Sequence, residues 1–223
     1  MPFRNRHHAG KELALLLKRE VTRPAIVYAL PRGGVPVAVE VAQALGAPLD
    51  LVIARKIGHP HSPEYAIGAV TETGQPVFNE DERRAVDPVW LATRIASERS
   101  EARRRRELYC AGLGRQSAHG RCAILVDDGI ATGLTMEAAV REVQADAPAQ
   151  LIVAVAVAPR DTADRFAAEV DRFVAVVIPD YFEGAVGSYY EDFRQVTDED
   201  VQRELARVWE HEPAARADAG SRS

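Results

Sequence analysis

The stretch Cys122 to Met136, CAILVDDGIATGLTM, decides how this chain is read. Cys122 to Val126 is a short, wholly apolar run, the pattern of a parallel strand covered on both faces. Asp127 and Asp128 end it. Gly129 and Gly133 then bracket a tight turn that carries Thr132 and Thr135, and a helical pattern runs from Glu137 to Val143. A strand that stops, a glycine turn and a new helix leave backbone N–H groups unpaired and pointing outward, where a phosphate can accept from them. The two carboxylates suit a different part of the ligand. An ionised carboxylate only accepts, and a sugar diol offers a pair of donors. One loop therefore provides for both halves of a phosphorylated sugar.

Working outward, the same design recurs upstream. Ala25 to Leu30 is an apolar run started by Pro24, and it leads into Pro31-Arg32-Gly33-Gly34 before a helical Val37 to Leu45. Gly33 and Gly34 let a ligand approach the backbone, and Arg32 brings a fork of donors suited to phosphate oxygens. Leu49 to Ala54 reads as the next buried strand, ending in Arg55-Lys56 at the edge where open α/β sheets bind ligands. Leu151 to Ala158 and Phe173 to Ile178 are further strands, with a helix over Asp161 to Val170 between them. The predicted fold is α/β: a doubly wound, mainly parallel five-stranded sheet with flanking helices.

Two familiar phosphate loops are absent, since neither G-x-x-x-x-G-K-[ST] nor G-x-G-x-x-G occurs. The string VDDGIATGLT instead resembles the ribose-phosphate signature of the type I phosphoribosyltransferases: an apolar strand, two adjacent acids, then T-G-x-T. The resemblance covers roughly residues 20 to 195. It implies transfer of the 5-phosphoribosyl group from phosphoribosyl pyrophosphate to a nitrogenous acceptor, a purine-like base being the expected class, with Mg²⁺ and with release of pyrophosphate. By that resemblance Asp127 and Asp128 hold the ribose hydroxyls and, through water and substrate, the metal. Gly129, Ala131, Thr132, Gly133, Leu134 and Thr135 hold the 5-phosphate. Pro31, Arg32, Gly33, Gly34, Arg55 and Lys56 hold the pyrophosphate, and Lys56 joins the two acids in catalysis. In the hypoxanthine and guanine enzymes a carboxylate stands where this chain has Ala131. That side chain exchanges no proton, so the choice of acceptor passes to residues elsewhere.

Two segments are candidates for that role. Residues 57 to 82 have a loose pattern, turn-forming at Gly58 to Pro63, with a hairpin expected between Tyr65 to Val70 and Val77-Phe78 across Thr73-Gly74. This resembles the family's flexible catalytic loop. The wording P-E-Y-A-I-G is similar to adenine-type members, which makes Glu64, with Tyr65, the acceptor-side catalytic candidate. Residues 179 to 196, the expected hood, crowd aromatic residues and glycines together. Tyr181, Phe182 and Tyr189 either stack on a flat acceptor or form a small satellite core or dimer contact.

The remaining features set bounds. The chain has 223 residues, 47% hydrophobic and 27% charged, with a net charge of −5. Residues 1–211 therefore read as one domain with its own core, and 212–223 as a disordered tail. Mild acidity gives no reason to expect nucleic-acid binding. No run approaches the ~18 apolar residues of a membrane span, and no signal peptide is read, so a cytoplasmic protein is expected. Cys110 and Cys122 are expected to be reduced and inert, and His59 and His61 to be solvated or structural. Residues 9 to 20 read as a packing helix. Asp87-Pro88 opens a long helix containing Arg103 to Arg106, whose charges are expected to pair with Glu98, Glu101 and Glu107 on a solvated face. Thr197 and Asp200 start a last helix to Trp209. A homodimer is expected. The competing functional reading is a regulator that keeps the fold and senses a nucleotide or phosphoribosyl pyrophosphate without turnover.

Overall fold

In a computed structural model that describes residues 1–110 and 114–209, the apolar runs become the strands of one sheet. In chain order these are β1 (Ala25–Ala29), β2 (Leu49–Leu51), β6 (Cys122–Asp127), β7 (Gln150–Val157) and β8 (Arg172–Val177). They pair in the order β2-β1-β6-β7-β8, all parallel. A helix follows most of the strands: α2 (Gly34–Leu45), α5 (Leu134–Gln144) and α6 (Arg160–Glu169), with α1 (Arg6–Glu20) before the sheet and α7 (Asp198–Trp209) after it.

Side-chain alternation along the strands divides the core in two. Val27, Ile124 and Ile152 face Leu13 and Leu17 of α1, Val37 and Val41 of α2, and Leu205 of α7. Ile26, Leu125 and Val153 face Met136 and Val140 of α5 and Phe166 of α6. The sheet is doubly wound, as expected. Because β1 continues into a helix on one face and β6 into a helix on the other, their carboxyl ends open a crevice at a topological switch point. The register sets Ala29 beside Val126, so both glycine loops leave the sheet at that crevice.

The segment expected to be irregular is ordered differently. The parallel strand ends at Leu51, short of Ala54, and the chain starts a second sheet with β3 (Ala54–His59), β4 (Ser62–Thr71) and β5 (Val77–Phe78). The hairpin across Thr73-Gly74 is present, with Gly68 beside Phe78 and Ala69 beside Val77. Arg55 and Lys56 therefore lie within β3 rather than at the end of a parallel strand. Beyond a short helix α3 (Glu80–Ala85), the long α4 (Pro88–Cys110) covers this sheet through Leu91, Ile57 and Ile67. Asp87 caps α4 by accepting from Trp90 N–H at 2.7 Å. Thr197 and Asp200 exchange side-chain and backbone bonds of 3.0 and 3.1 Å at the start of α7.

The arginine run departs from its expected role. Arg104 and Arg105 do pair with Glu101. Arg106 turns inward, donating to Leu51 C=O at 2.9 Å and Asp50 at 3.0 Å, since the last turns of α4 pack over the end of β2. Glu98 faces Arg55 and Arg94 instead of the run. Cys110 and Cys122 are both buried. The tail expected at 212–223 lies outside the described residues.

Candidate active site

A cavity of about 760 Å³ opens at the crevice between β1 and β6. Its floor is the acid pair. Asp127 Oδ1 accepts from the backbone N–H of Asp128 at 2.8 Å, and Asp128 Oδ2 accepts from Arg6 Nε at 2.6 Å. Burial and the adjacent Asp128 push Asp127 well above the ordinary carboxylate range. Burial also raises Asp128, and the Arg6 guanidinium opposes that rise. The loop over Leu30 to Gly33 crosses directly above. A Cβ on Gly33 would collide with the Asp128 carboxylate, and one on Gly34 would stand 2.7 Å from Val126 O. Only glycine allows the two loops to approach so closely.

The turn at residues 131–135 is braced from behind. Gly133 takes φ +86°, a left-handed conformation suited to glycine, and α5 starts at the next residue. Thr162 Oγ1 donates to Ala131 C=O at 3.1 Å and Arg165 Nη2 to Thr132 C=O at 2.9 Å. Those carbonyls are tied to α6, and the first-turn amides of α5 have no intrahelical acceptor. The opposite wall is cationic. Arg32, Arg55 and Lys56 line it together with Arg94 and Arg105 of α4. Arg32 is steadied by Asp198 at 3.5 Å, which also accepts from Tyr109 Oη at 2.6 Å. Glu98, with a side chain 5% exposed, holds Arg55 at 2.9 Å and Arg94 at 2.7 Å.

Of the residues expected at the site, Asp127, Asp128, Gly129, Ala131, Thr132, Gly133 and Thr135 line the cavity, as do Pro31, Arg32, Gly33, Arg55, Lys56 and Glu64. Gly34 and Leu134 stand behind it as the first residues of α2 and α5. Tyr181, Phe182 and Tyr189 do not line it. Tyr181 is 83% exposed, while Phe182 stacks on Tyr189, which is buried against Phe3 in a satellite core. The hood residues that reach the cavity are Val186, Phe193, Gln195 and Val196. Tyr65 bonds Glu82 at 3.0 Å.

Arg6, Arg94, Glu98 and Arg105 were not expected at the site from the sequence, whereas Phe193 belongs to the aromatic crowding of the expected hood. A signal for three of them existed: residues 94, 98 and 105 are spaced by four and seven, one face of a helix. Arg6 had none, being 122 positions from its partner.

The comparisons with known proteins agree with this arrangement. A family model described as the phosphoribosyl transferase domain matches residues 5–192. Relatives from two Mycobacterium tuberculosis strains, CDC 1551 / Oshkosh and H37Rv, are each named "Putative phosphoribosyl transferase". Each is 41% identical over 220 residues, which is 97% of this chain and 49% of the relative. The chain thus spans about half the length of these curated relatives. The crystal structure of TT1426 from Thermus thermophilus superposes with a TM-score of 0.77 at 44% identity, over 93% of this chain and 99% of that one. The resemblance first carried by VDDGIATGLT extends over most of the sequence, and the chain belongs to the phosphoribosyl transferase family.

Proposed function

We propose that this chain transfers the 5-phosphoribosyl group of phosphoribosyl pyrophosphate to a nitrogenous acceptor, a purine-like base by class, and releases pyrophosphate. The observation that carries the reading is the convergence on one cavity of the acid pair, the turn at 131–135, the Arg32–Gly33 loop and the Arg55-Lys56 pair. A phosphate at the first turn of α5 puts the ribose over Asp127 and Asp128. The diphosphate then lies toward Arg32, Arg55 and Lys56.

In the reaction the bond from C1 of the ribose to the diphosphate oxygen breaks and a bond from C1 to the acceptor nitrogen forms. Negative charge grows on the leaving diphosphate, where Arg32, Arg55, Lys56 and loop amides stabilise it. Positive charge grows on the ribose, beside the two carboxylates. The acceptor nitrogen sheds a proton, and Glu64 is the carboxylate on that wall able to take it.

Among the described residues no group of three or more His, Cys, Asp or Glu side chains is placed to hold a metal. The donor set fits Mg²⁺ held mostly by substrate oxygens and water, with Asp127 and Asp128 as its protein partners. When bound, the ion supplies further positive charge against the diphosphate.

Phosphoribosyl pyrophosphate with Mg²⁺ is expected to raise the melting temperature, and Asp127→Asn to reduce that rise. No rise at millimolar ligand overturns the assignment. Pyrophosphate release measured over a panel of purines, pyrimidines and other amines then identifies the acceptor. Binding with no release for any acceptor overturns turnover and leaves a sensor of phosphoribosyl pyrophosphate.

A further inference from the structure

Asp128 is held by a side chain from the first helix. Arg6 Nε donates to its Oδ2 at 2.6 Å, and Arg6 Nη1 donates to Arg194 C=O at 2.9 Å. The same guanidinium lies flat against the hood, with Cζ 3.8 Å from the centroid of the Phe193 ring. Tyr190 completes the arrangement, its hydroxyl donating to Asp128 C=O at 2.7 Å and its ring 4.9 Å from that of Phe193. The backbone ties the N-terminal strip to the hood as well, since Phe3 N–H donates to Tyr189 C=O and Glu191 N–H to Phe3 C=O. Arg6, Asp128 and Phe193 all line the cavity.

A guanidinium can serve three partners at once because it has separate donors and a flat face, whereas an ammonium is a point charge. The arrangement is stiff because it is nearly dry: the side chains of Arg6 and Asp128 are 10% and 13% exposed. Asp128 cannot leave Arg6 without becoming a buried, unpaired charge. Phe193 cannot move without disturbing the plane of Arg6. The carboxylate under the ribose and the aromatic wall on the hood are therefore linked through one side chain.

We propose that Arg6 is a positioning residue that couples the acid pair to the hood, fixing Asp128 for the ribose diol and making that hold depend on Phe193. The inference rests on the phosphoribosyl reading above. Its distinguishing consequence is indirect: a change at Phe193, which contacts Arg6 and not the acid pair's carboxylates, alters affinity for phosphoribosyl pyrophosphate, and does so only while Arg6 is present.

The test is a double-mutant cycle read by calorimetric titration of phosphoribosyl pyrophosphate with Mg²⁺, each variant being checked for folding by its unfolding curve. Arg6→Lys is expected to weaken binding on the order of tenfold, since the ammonium keeps the charge and loses the fork and the flat face. Phe193→Leu is expected to weaken it by about threefold in the wild-type background and to add nothing in the Arg6→Lys background. Wild-type affinity in Arg6→Lys, or losses that simply multiply in the double variant, overturn the coupling. If Arg6→Lys fails to fold, Phe193→Leu against Phe193→Tyr supplies the answer. The tyrosine restores affinity if the flat ring is what matters, and equal affinity for wild type and Phe193→Leu overturns the proposal. A wild-type protein that does not bind the ligand at all is a different result, which removes the phosphoribosyl reading and this inference with it.

Discussion

The turn from Asp127 to Thr135 and the hood from Tyr181 to Val196 flank the same cavity, yet they are fixed in opposite ways. In the turn, a strand end, two acids, a glycine at φ +86° and a helix start aim every ligand-facing group by covalent geometry within nine residues. The hood has only a short 3₁₀ turn at Val186–Tyr189, and its position is set by Phe3 and Arg6 at the other end of the chain. Local geometry aims the groups that meet the ligand, and remote side-chain contacts hold those groups in place relative to one another. Changes to local elements should thus register first in ligand binding, and changes to remote contacts set back from the cavity first in stability.

The arginine run offers the largest contrast of this kind. Arg104 makes a local pair with Glu101 at 2.7 Å and is 57% exposed. Arg106 reaches 56 positions along the sequence to Asp50, with side chains 13% and 2% exposed. Removing Arg106 leaves the Asp50 charge buried, its hydrogen-bond partners among the described residues being the Leu51 and Gln116 backbone amides at 2.7 Å each. Urea unfolding of Arg106→Ala is expected to show a loss of about 3–5 kcal/mol. Arg104→Ala is expected to leave the unfolding midpoint almost unchanged, as an exposed pair does. Equal losses for the two would break the distinction between local and remote contacts.

The same distinction explains what could be read from the sequence. The strands Cys122–Asp127 and Gln150–Val157 announce themselves as apolar runs, because both their faces are covered. The acid pair and its turn are legible because their chemistry is contiguous. Ala54–His59 is not, since Arg55, Lys56, Gly58 and His59 break the alternation, and the ladder to β4 shifts register at Gly58. The aromatic crowding of the hood signals a need for burial without saying against what. Tyr189 meets that need on Phe3, and the ring that reaches the cavity is Phe193. Arg106 carries the same composition signal as its three neighbours, and only the packing of α4 over β2 sets it apart.

Gly133→Ala probes the local side of the contrast. At φ +86° a side chain is strained, and the new Cβ would stand 2.5 Å from Arg165 Nη2 and 2.8 Å from Phe166 Cε2. The expected stability loss is about 1–3 kcal/mol. Because Arg165 braces the Thr132 carbonyl, the thermal shift given by phosphoribosyl pyrophosphate should fall by more than that loss explains. Gly114→Ala, where no atom of the described residues lies within 4 Å of the new Cβ, should stay within about 0.5 kcal/mol. An unchanged ligand shift in Gly133→Ala would mean the turn is not aimed by its own backbone.

The smallest effect belongs to a remote contact that titrates. His7 of α1 lies 3.0 Å from Glu40 of α2 and 3.3 Å from Glu204 of α7, so its ring ties three helices on one face of the sheet. Arg207 bridges the same two carboxylates at 3.3 and 2.6 Å. Bonds to Glu204 and then Glu40 raise the His7 pKa from 6.5 to about 9. Between those values the folded protein binds a proton that the unfolded chain releases, so this contribution is complete below pH 6.5 and is lost as pH rises through about 9. The side chain of His7 is 36% exposed, and solvent screening holds the effect to about 1 kcal/mol or less. His7→Gln should flatten the decline in stability over that window in urea titrations, leaving affinity for phosphoribosyl pyrophosphate unchanged. A parallel decline in the variant would place the titrating group elsewhere. A loss of ligand affinity would show that the helices holding the sheet also shape the cavity, and the division between aiming and holding would fail on its remote side.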